Sequence, residues 1–158
     1  MIVISDLLWH HLLDAISRPR RQLERVAYVD GVLVGGDLEV ATTIVVPHAR
    51  LDRGSYRVSA LAMSQAGRHL RTHSMIRLAQ VHTHPGVDVQ HSPVDDALAY
   101  SQHVGAVSIV VPRHGRNRPD IGLCGVHIRT SLGWERLSQD QVDRHLRLVP
   151  GLLDYRRA

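Results

Sequence analysis

The chain has 158 residues and a net charge of +4, the size of one ordinary domain that can bury a core without disulfides. Apolar residues make up 44%, which argues against a disordered chain, and a lone cysteine, Cys124, excludes an internal disulfide and a cysteine-built zinc ribbon. No stretch is apolar for long enough to span a bilayer, and the N-terminal apolar run is broken by Asp6, His10, His11 and Asp14 without a basic segment before it, so neither membrane span nor signal peptide is expected and the expected location is the cytoplasm.

All 19 basic residues are arginine. They are scattered, and the densest cluster, Arg18 to Arg25, is short, so the charge by itself does not indicate a nucleic-acid protein. Of the 15 acidic residues only Glu24, Glu39 and Glu135 are glutamates.

Residues 5–17 read as a helix, with Ser5 as N-cap, apolar residues at helical spacing and Pro19 as the stop. Two strands, 24–30 and 31–34, are expected around Gly31, followed by a β-branched strand at 38–46 that Pro47 ends. Residues 59–73 read as a helix and 77–83 as a strand. A loop at 85–91 leads to Ser92-Pro93, which opens a helix expected to run to about Gln102. Strands follow at 106–111, 122–129 and 133–137, and Ser138 opens a last helix over 139–148. This order gives a single α+β domain, a central mixed sheet flanked by helices. The segment 112–119 is expected to be a mobile loop, and Cys124 a core residue in a strand rather than a nucleophile.

The informative stretch is 82–95, His-Thr-His-Pro, seven residues after the second histidine, then Ser-Pro-Val-Asp. His82 and His84 stand at i and i+2 at a strand end, so their imidazoles share a face and two nitrogens can reach one zinc ion. Asp95, in the first turn of the next helix, gains from the helix N-terminus and can supply a third ligand. Three protein ligands leave a fourth position open, as catalytic rather than structural zinc requires. From residue frequencies such a pattern arises by chance at roughly 0.004 per chain of this length, which favours a site over coincidence. Thr83 points to the other face and is assigned a structural role. Among the other histidines only His91 adjoins the pattern; with Asp88 and Asp96 it is assigned to solvated surface, and none of the rest has ligand spacing.

The pattern resembles the signature of the JAMM (MPN+, Mov34/PAD-1) zinc metalloproteases, and the resemblance extends over nearly the whole chain, 1–158. It implies an MPN-like domain with the cytidine-deaminase-like JAMM fold, and one Zn²⁺ held by His82, His84 and Asp95. It also implies a glutamate from an early strand as general base. Glu24, seven residues before Gly31, fits that place better than Glu39. Ser92 is implied as the group that hydrogen-bonds the oxyanion or the water. The implied activity is that of an isopeptidase or peptidase cutting after the C-terminal glycine of a ubiquitin-like protein, as in stand-alone prokaryotic members linked to ubiquitin-like conjugation and antiphage defence. Implied partners are the ubiquitin-like protein, its conjugates, and activating- and conjugating-enzyme-like proteins. The segments 48–58 and 112–120 are expected to line the groove for the tail. The competing readings are a non-catalytic MPN scaffold, action on a sulfur-carrier tail and an arginine-rich nucleic-acid module. The DNA-repair-associated branch typically shows HNHP and a further domain, whereas HTHP stands here.

Overall fold

A computed structural model describes residues 1–17 and 23–153. Strand β1 (Ile2–Ser5) runs directly into helix α1 (Asp6–Ile16), where Ser5 accepts a hydrogen bond from the Leu8 amide at 3.1 Å. Helix α1 buries Trp9, Leu12, Leu13 and Ile16, the stripe that its spacing predicts. Pro19 and the first part of the 18–25 arginine cluster lie outside the described residues.

Strand β2 (Val26–Leu33) pairs antiparallel with β3 (Glu39–Val45) on one side and with β6 (Ile76–Thr83) on the other. The two strands expected around Gly31 are thus one strand with a bulge at Asp30/Gly31. Glycine is needed there because a Cβ would lie 2.0 Å from the Val40 carbonyl oxygen. Between β3 and helix α2 (Ala60–Thr72), the segment 48–58 forms a small hairpin, β4 (Ala49–Leu51) with β5 (Tyr56–Val58).

Helix α3 (Pro93–Leu98) is shorter than expected. Its backbone turns extended at Ala99, the Tyr100 amide donates to Gln80 Oε1 at 3.0 Å, and Gln102 Nε2 donates to the Asp96 carbonyl at 2.8 Å. Side-chain bonds of β6 and of the chain itself thus replace the next helical turn. Strands β7 (Val107–Val111), β8 (Gly125–Arg129) and β9 (Trp134–Arg136) complete one side of the sheet. Cys124 is buried just before β8 rather than within it, after a 3-10 turn. Helix α4 (Gln139–His145) stops before its expected end, because Leu146–Val149 form strand β10 parallel to β1.

The eight-stranded mixed sheet has the order β10-β1-β3-β2-β6-β7-β8-β9. Alternation sorts its two faces. Ala27, Val29, Ala79, Val81, Val107, Ile109 and Val111 join the α1 stripe in the main core. On the other face Val26 and Tyr28 pack with Tyr56 of the hairpin and Met63 of α2 in a second cluster. The segment 112–119 is not a loose loop. Pro112–Gly115 form a tight turn in which Arg113 and His114 take left-handed backbone angles, with Pro112, His114 and Gly115 buried. Pro119 accepts from Trp9 Nε1 at 3.3 Å, and Arg118 makes a two-pronged pair with Asp14 at 2.9 and 2.7 Å, which fixes the segment onto α1.

Candidate metal centre

Two apolar strands end side by side, and the polar residues at their ends are forced together. In β6, Ala79 and Val81 face the α1 core, so Gln80 and His82 face the opposite side. His84 follows immediately after the strand, with its ring centroid 5.1 Å from that of His82. Its backbone is fixed by two bonds, N–H to the Val111 carbonyl at 2.9 Å and carbonyl from the His114 amide at 2.8 Å. Asp95 arrives from α3, oriented by a capping box. Ser92 Oγ accepts from the Asp95 amide at 3.2 Å, and the Ser92 amide and hydroxyl both donate to Asp95 Oδ2 at 2.7 Å.

The outcome is a group of one ligand atom each from His82, His84 and Asp95, all within 4.8 Å of one another. His82 Nε2 lies 3.3 Å from Asp95 Oδ1, and His84 Nε2 lies 3.3 Å from Asp95 Oδ2. Ligands at 2.0–2.1 Å around a tetrahedral ion stand about 3.3 Å apart, which each histidine–Asp95 distance matches, one to each carboxylate oxygen. The donors fit as well. His84 Nδ1 is 3.0 Å from the Asp88 carbonyl, which holds a proton on Nδ1 and leaves the Nε2 lone pair outward. His82 is wholly buried, and its Nε2 has no aligned hydrogen-bond partner among the described residues. An imidazole nitrogen in that state is free to ligate a metal ion.

Glu24 stands at the same end of the sheet. Just before β2, its amide donates to the Asp52 carbonyl of the hairpin at 2.8 Å. The adjoining Arg25 backbone is tied to Thr83, with Arg25 N to Thr83 Oγ1 and Thr83 N to the Arg25 carbonyl, each at 3.0 Å. Thr83 therefore has the structural role expected of it. Glu24 is buried, its Oε2 has no hydrogen-bond partner among the described residues, and it interacts electrostatically with His84 and Asp95. Glu39 is at the far end of β2, opposite Leu33, whereas Val26 is opposite His82.

Burial raises the Glu24 pKa to about 7, against a lowering by His84 and with a further push from Asp95. Burial also acts to raise Asp95, but the adjacent imidazoles of His82 and His84 and the Ser92 amide outweigh it and hold the carboxyl well below the usual range. The fully buried His82 is lowered by desolvation. His84 is also penalised by burial, but the Asp95 carboxylate and Glu24 turn its shift upward.

Several residues around the group were not assigned to it by spacing. His91 is not on a solvated surface. Its side chain is only 5% exposed, with Nδ1 2.9 Å from Asp96 Oδ1 and Nε2 3.0 Å from Ser108 Oγ. It stacks on buried His127 at 4.1 Å and lies 5.6 Å from the His82 ring. Burial, followed by the neighbouring His91, lowers His127 to about 3, so it is neutral. Tyr56 covers His82 from the hairpin side at 5.4 Å between ring centroids, and its hydroxyl accepts from Gln80. Gly125 lets the 85–91 loop close over β8, since a Cβ there would lie 2.1 Å from the Val89 carbonyl oxygen. A signal for Ser108 and His127 was present in the sequence. Each is a polar residue inside an apolar strand, and register pairs Gln80 with Ser108 and Ser108 with His127. Asp88 is exposed, as expected, apart from its carbonyl contact to His84.

The sequence matches no protein-family model and no curated protein. Solved structures do resemble it. Protein DSY2949 from Desulfitobacterium hafniense matches with a TM-score of 0.72 at 16% identity, over 96% of this chain and 95% of that one. A JAB1/MPN domain protein from Archaeoglobus fulgidus matches with a TM-score of 0.51, also at 16% identity, over 94% and 97%. No helix among the described residues is long and apolar enough to cross a membrane. The eight-stranded mixed sheet, with the four α-helices of the described residues, matches the fold of that JAB1/MPN domain protein, and it carries a His-His-Asp group able to hold a metal.

Proposed function

We propose that the protein is a JAMM-type zinc metalloprotease, an isopeptidase or peptidase that cuts after the C-terminal glycine of a ubiquitin-like protein. The observation that carries the reading is the meeting of Glu24 with His82, His84 and Asp95, from three separated parts of the chain, at one end of the sheet in an MPN fold. His82 Nε2, His84 Nε2 and an Asp95 oxygen would hold the zinc. Bound there, zinc supplies Lewis acidity, lowering the pKa of a water and polarising the scissile carbonyl.

The remaining work falls to side chains of the chain itself. Glu24 takes the proton of the attacking water and returns it to the leaving nitrogen. Burial raises the Glu24 carboxyl, which favours its holding the proton between the two transfers. Ser92 holds Asp95 in place through its amide and hydroxyl; to stabilise the oxygen that gains charge, the hydroxyl turns its single proton from Asp95 to that oxygen while the amide keeps its bond to Asp95. The His84 orientation is set by the Asp88 carbonyl. Partners are then the ubiquitin-like protein and its conjugates, with activating- and conjugating-enzyme-like proteins in the same pathway.

The test is to incubate the zinc-loaded protein with a ubiquitin-like protein carrying a C-terminal extension or an isopeptide-linked target, and to weigh the products. Release at the glycine, lost with a chelator and in Glu24→Gln, is the expected result. Cleavage of an unfolded protein at many sites with the tail left intact would overturn the substrate class. Zinc binding without any hydrolysis would favour a scaffold.

A further inference from the structure

Arg50 and Arg57 stand directly opposite each other in the β4–β5 hairpin. Like charges in that position repel. Both are exposed, and among the described residues neither has an ion-pair partner. With Asp52, Tyr56, Val94 and Leu98 they line a cavity of about 350 Å³. The cavity adjoins the metal group from two directions. Tyr56 packs on the His82 ring, and Val94 and Leu98 belong to α3, the helix that carries Asp95.

Its chemistry is mixed in an informative way. Two guanidinium groups favour an anion and present the planar donors that suit a carboxylate. Asp52 adds a negative charge, which disfavours a dianionic phosphate and offers an acceptor to a peptide N–H. Val94 and Leu98 supply an apolar wall for a methylene stem. A singly charged acidic side chain on a polypeptide satisfies all three features at once.

We propose that this cavity is a specificity subsite that receives an aspartate or glutamate side chain of the substrate polypeptide near the bond to be cut. The subsite rests on the hydrolase reading for what becomes of the polypeptide, but its charge selectivity is measurable without hydrolysis.

The probes are two fluorescein-labelled Gly/Ser dodecapeptides, identical except that one carries three glutamates and the other three glutamines. Anisotropy is measured on the zinc-loaded full chain with Glu24→Gln, so that neither peptide is consumed. We expect the glutamate peptide to bind about fivefold tighter or more at low salt. The advantage should vanish in Arg50→Gln/Arg57→Gln, and Arg50→Glu/Arg57→Glu should instead favour a lysine version of the peptide. Arg144→Gln/Arg147→Gln, an equal loss of charge elsewhere on the surface, should leave the preference intact. Equal affinity for the two peptides, or a preference that survives Arg50→Gln/Arg57→Gln, would overturn the subsite. So would displacement of both peptides by inorganic phosphate at about 1 mM, far beyond that of chloride at matched ionic strength, which would assign the cavity to a free anion. On a cleavable substrate with an acidic residue near the glycine, Arg50→Glu/Arg57→Glu should lower kcat/KM about tenfold, mostly through KM. A protein that shows the charge preference but cuts no bond would refute the hydrolase reading and leave the anion-selective peptide site standing.

Discussion

The β2–β6 ladder carries buried charge at both ends, and the two ends are built on opposite plans. At one end Asp30, fully buried, meets Arg77 in a two-pronged pair at 2.8 and 3.1 Å, and the guanidinium carbon lies 3.8 Å over the Tyr28 ring. Donors and acceptors match there. At the other end Glu24 Oε2 and the ring nitrogens of His82 are buried without hydrogen-bond partners among the described residues. A buried polar group left unpaired costs about 1–3 kcal/mol, and at this end the cost falls partly on His82, whose ligand atom lies within 4.8 Å of those of His84 and Asp95. The paired end contributes to stability, and the unpaired end is where chemistry is expected.

The sharpest way to break this contrast is at the unpaired end. Glu24→Gln should retain about one zinc per chain and lose about 10²–10⁴-fold in turnover, while His82→Ala/His84→Ala should lose the zinc as well. Metal analysis beside a cleavage assay separates the two. Glu39→Gln, at the far end of the sheet, should behave as wild type; if it and not Glu24→Gln abolished turnover, the assignment of the base would be wrong.

At the paired end the effect should appear in stability alone. Asp30→Ala strands the Arg77 charge and should destabilise the fold by about 3–5 kcal/mol, read from denaturant unfolding, with metal content per folded molecule unchanged. A loss of zinc without a loss of stability would mean that the two ends are not separate.

Ser92 tests whether one residue can serve both roles. Ser92→Ala removes the helix cap, worth about 1 kcal/mol, and also removes a donor to the candidate ligand Asp95. Metal affinity or activity should fall about 10- to 100-fold. Ser59 caps α2 in the same way, accepting from the Ala62 amide at 3.2 Å. Ser59→Ala should therefore cost similar stability and no zinc.

The smallest effect is expected at Cys124. Burial, reinforced by Asp120, raises its thiol to about 12, which leaves roughly 10³-fold less thiolate than an ordinary cysteine near neutral pH. Native protein should alkylate slowly at pH 8, and Cys124→Ala should retain activity and zinc. Rapid native labelling would show that the cysteine is more accessible than its packing implies.

Local rules made much of this protein legible. A cap and an apolar stripe specify α1, because capping bonds and helical spacing span only a few residues. The i, i+2 spacing of His82 and His84 is read from strand alternation, and Ser92 to Asp95 from the capping box, so the ligand group followed from residues 82–95. The resemblance supplied Glu24, whose neighbours in sequence say nothing about zinc. What spacing missed depends on partners far along the chain. Strand β10 replaces the end of the last expected helix because Leu146–Val149 pair with β1, more than 140 residues away. The 48–58 segment becomes a hairpin because Tyr56 finds a second core with Val26 and Tyr28. His91 leaves the expected surface because Ser108 and His127 arrive from β7 and β8 to bond and stack with it. Short-range hydrogen bonds and periodicity are properties of the sequence itself. Burial, and with it the raised pKa of Glu24 and the facing pair Arg50 and Arg57, exists only after distant strands have closed against one another.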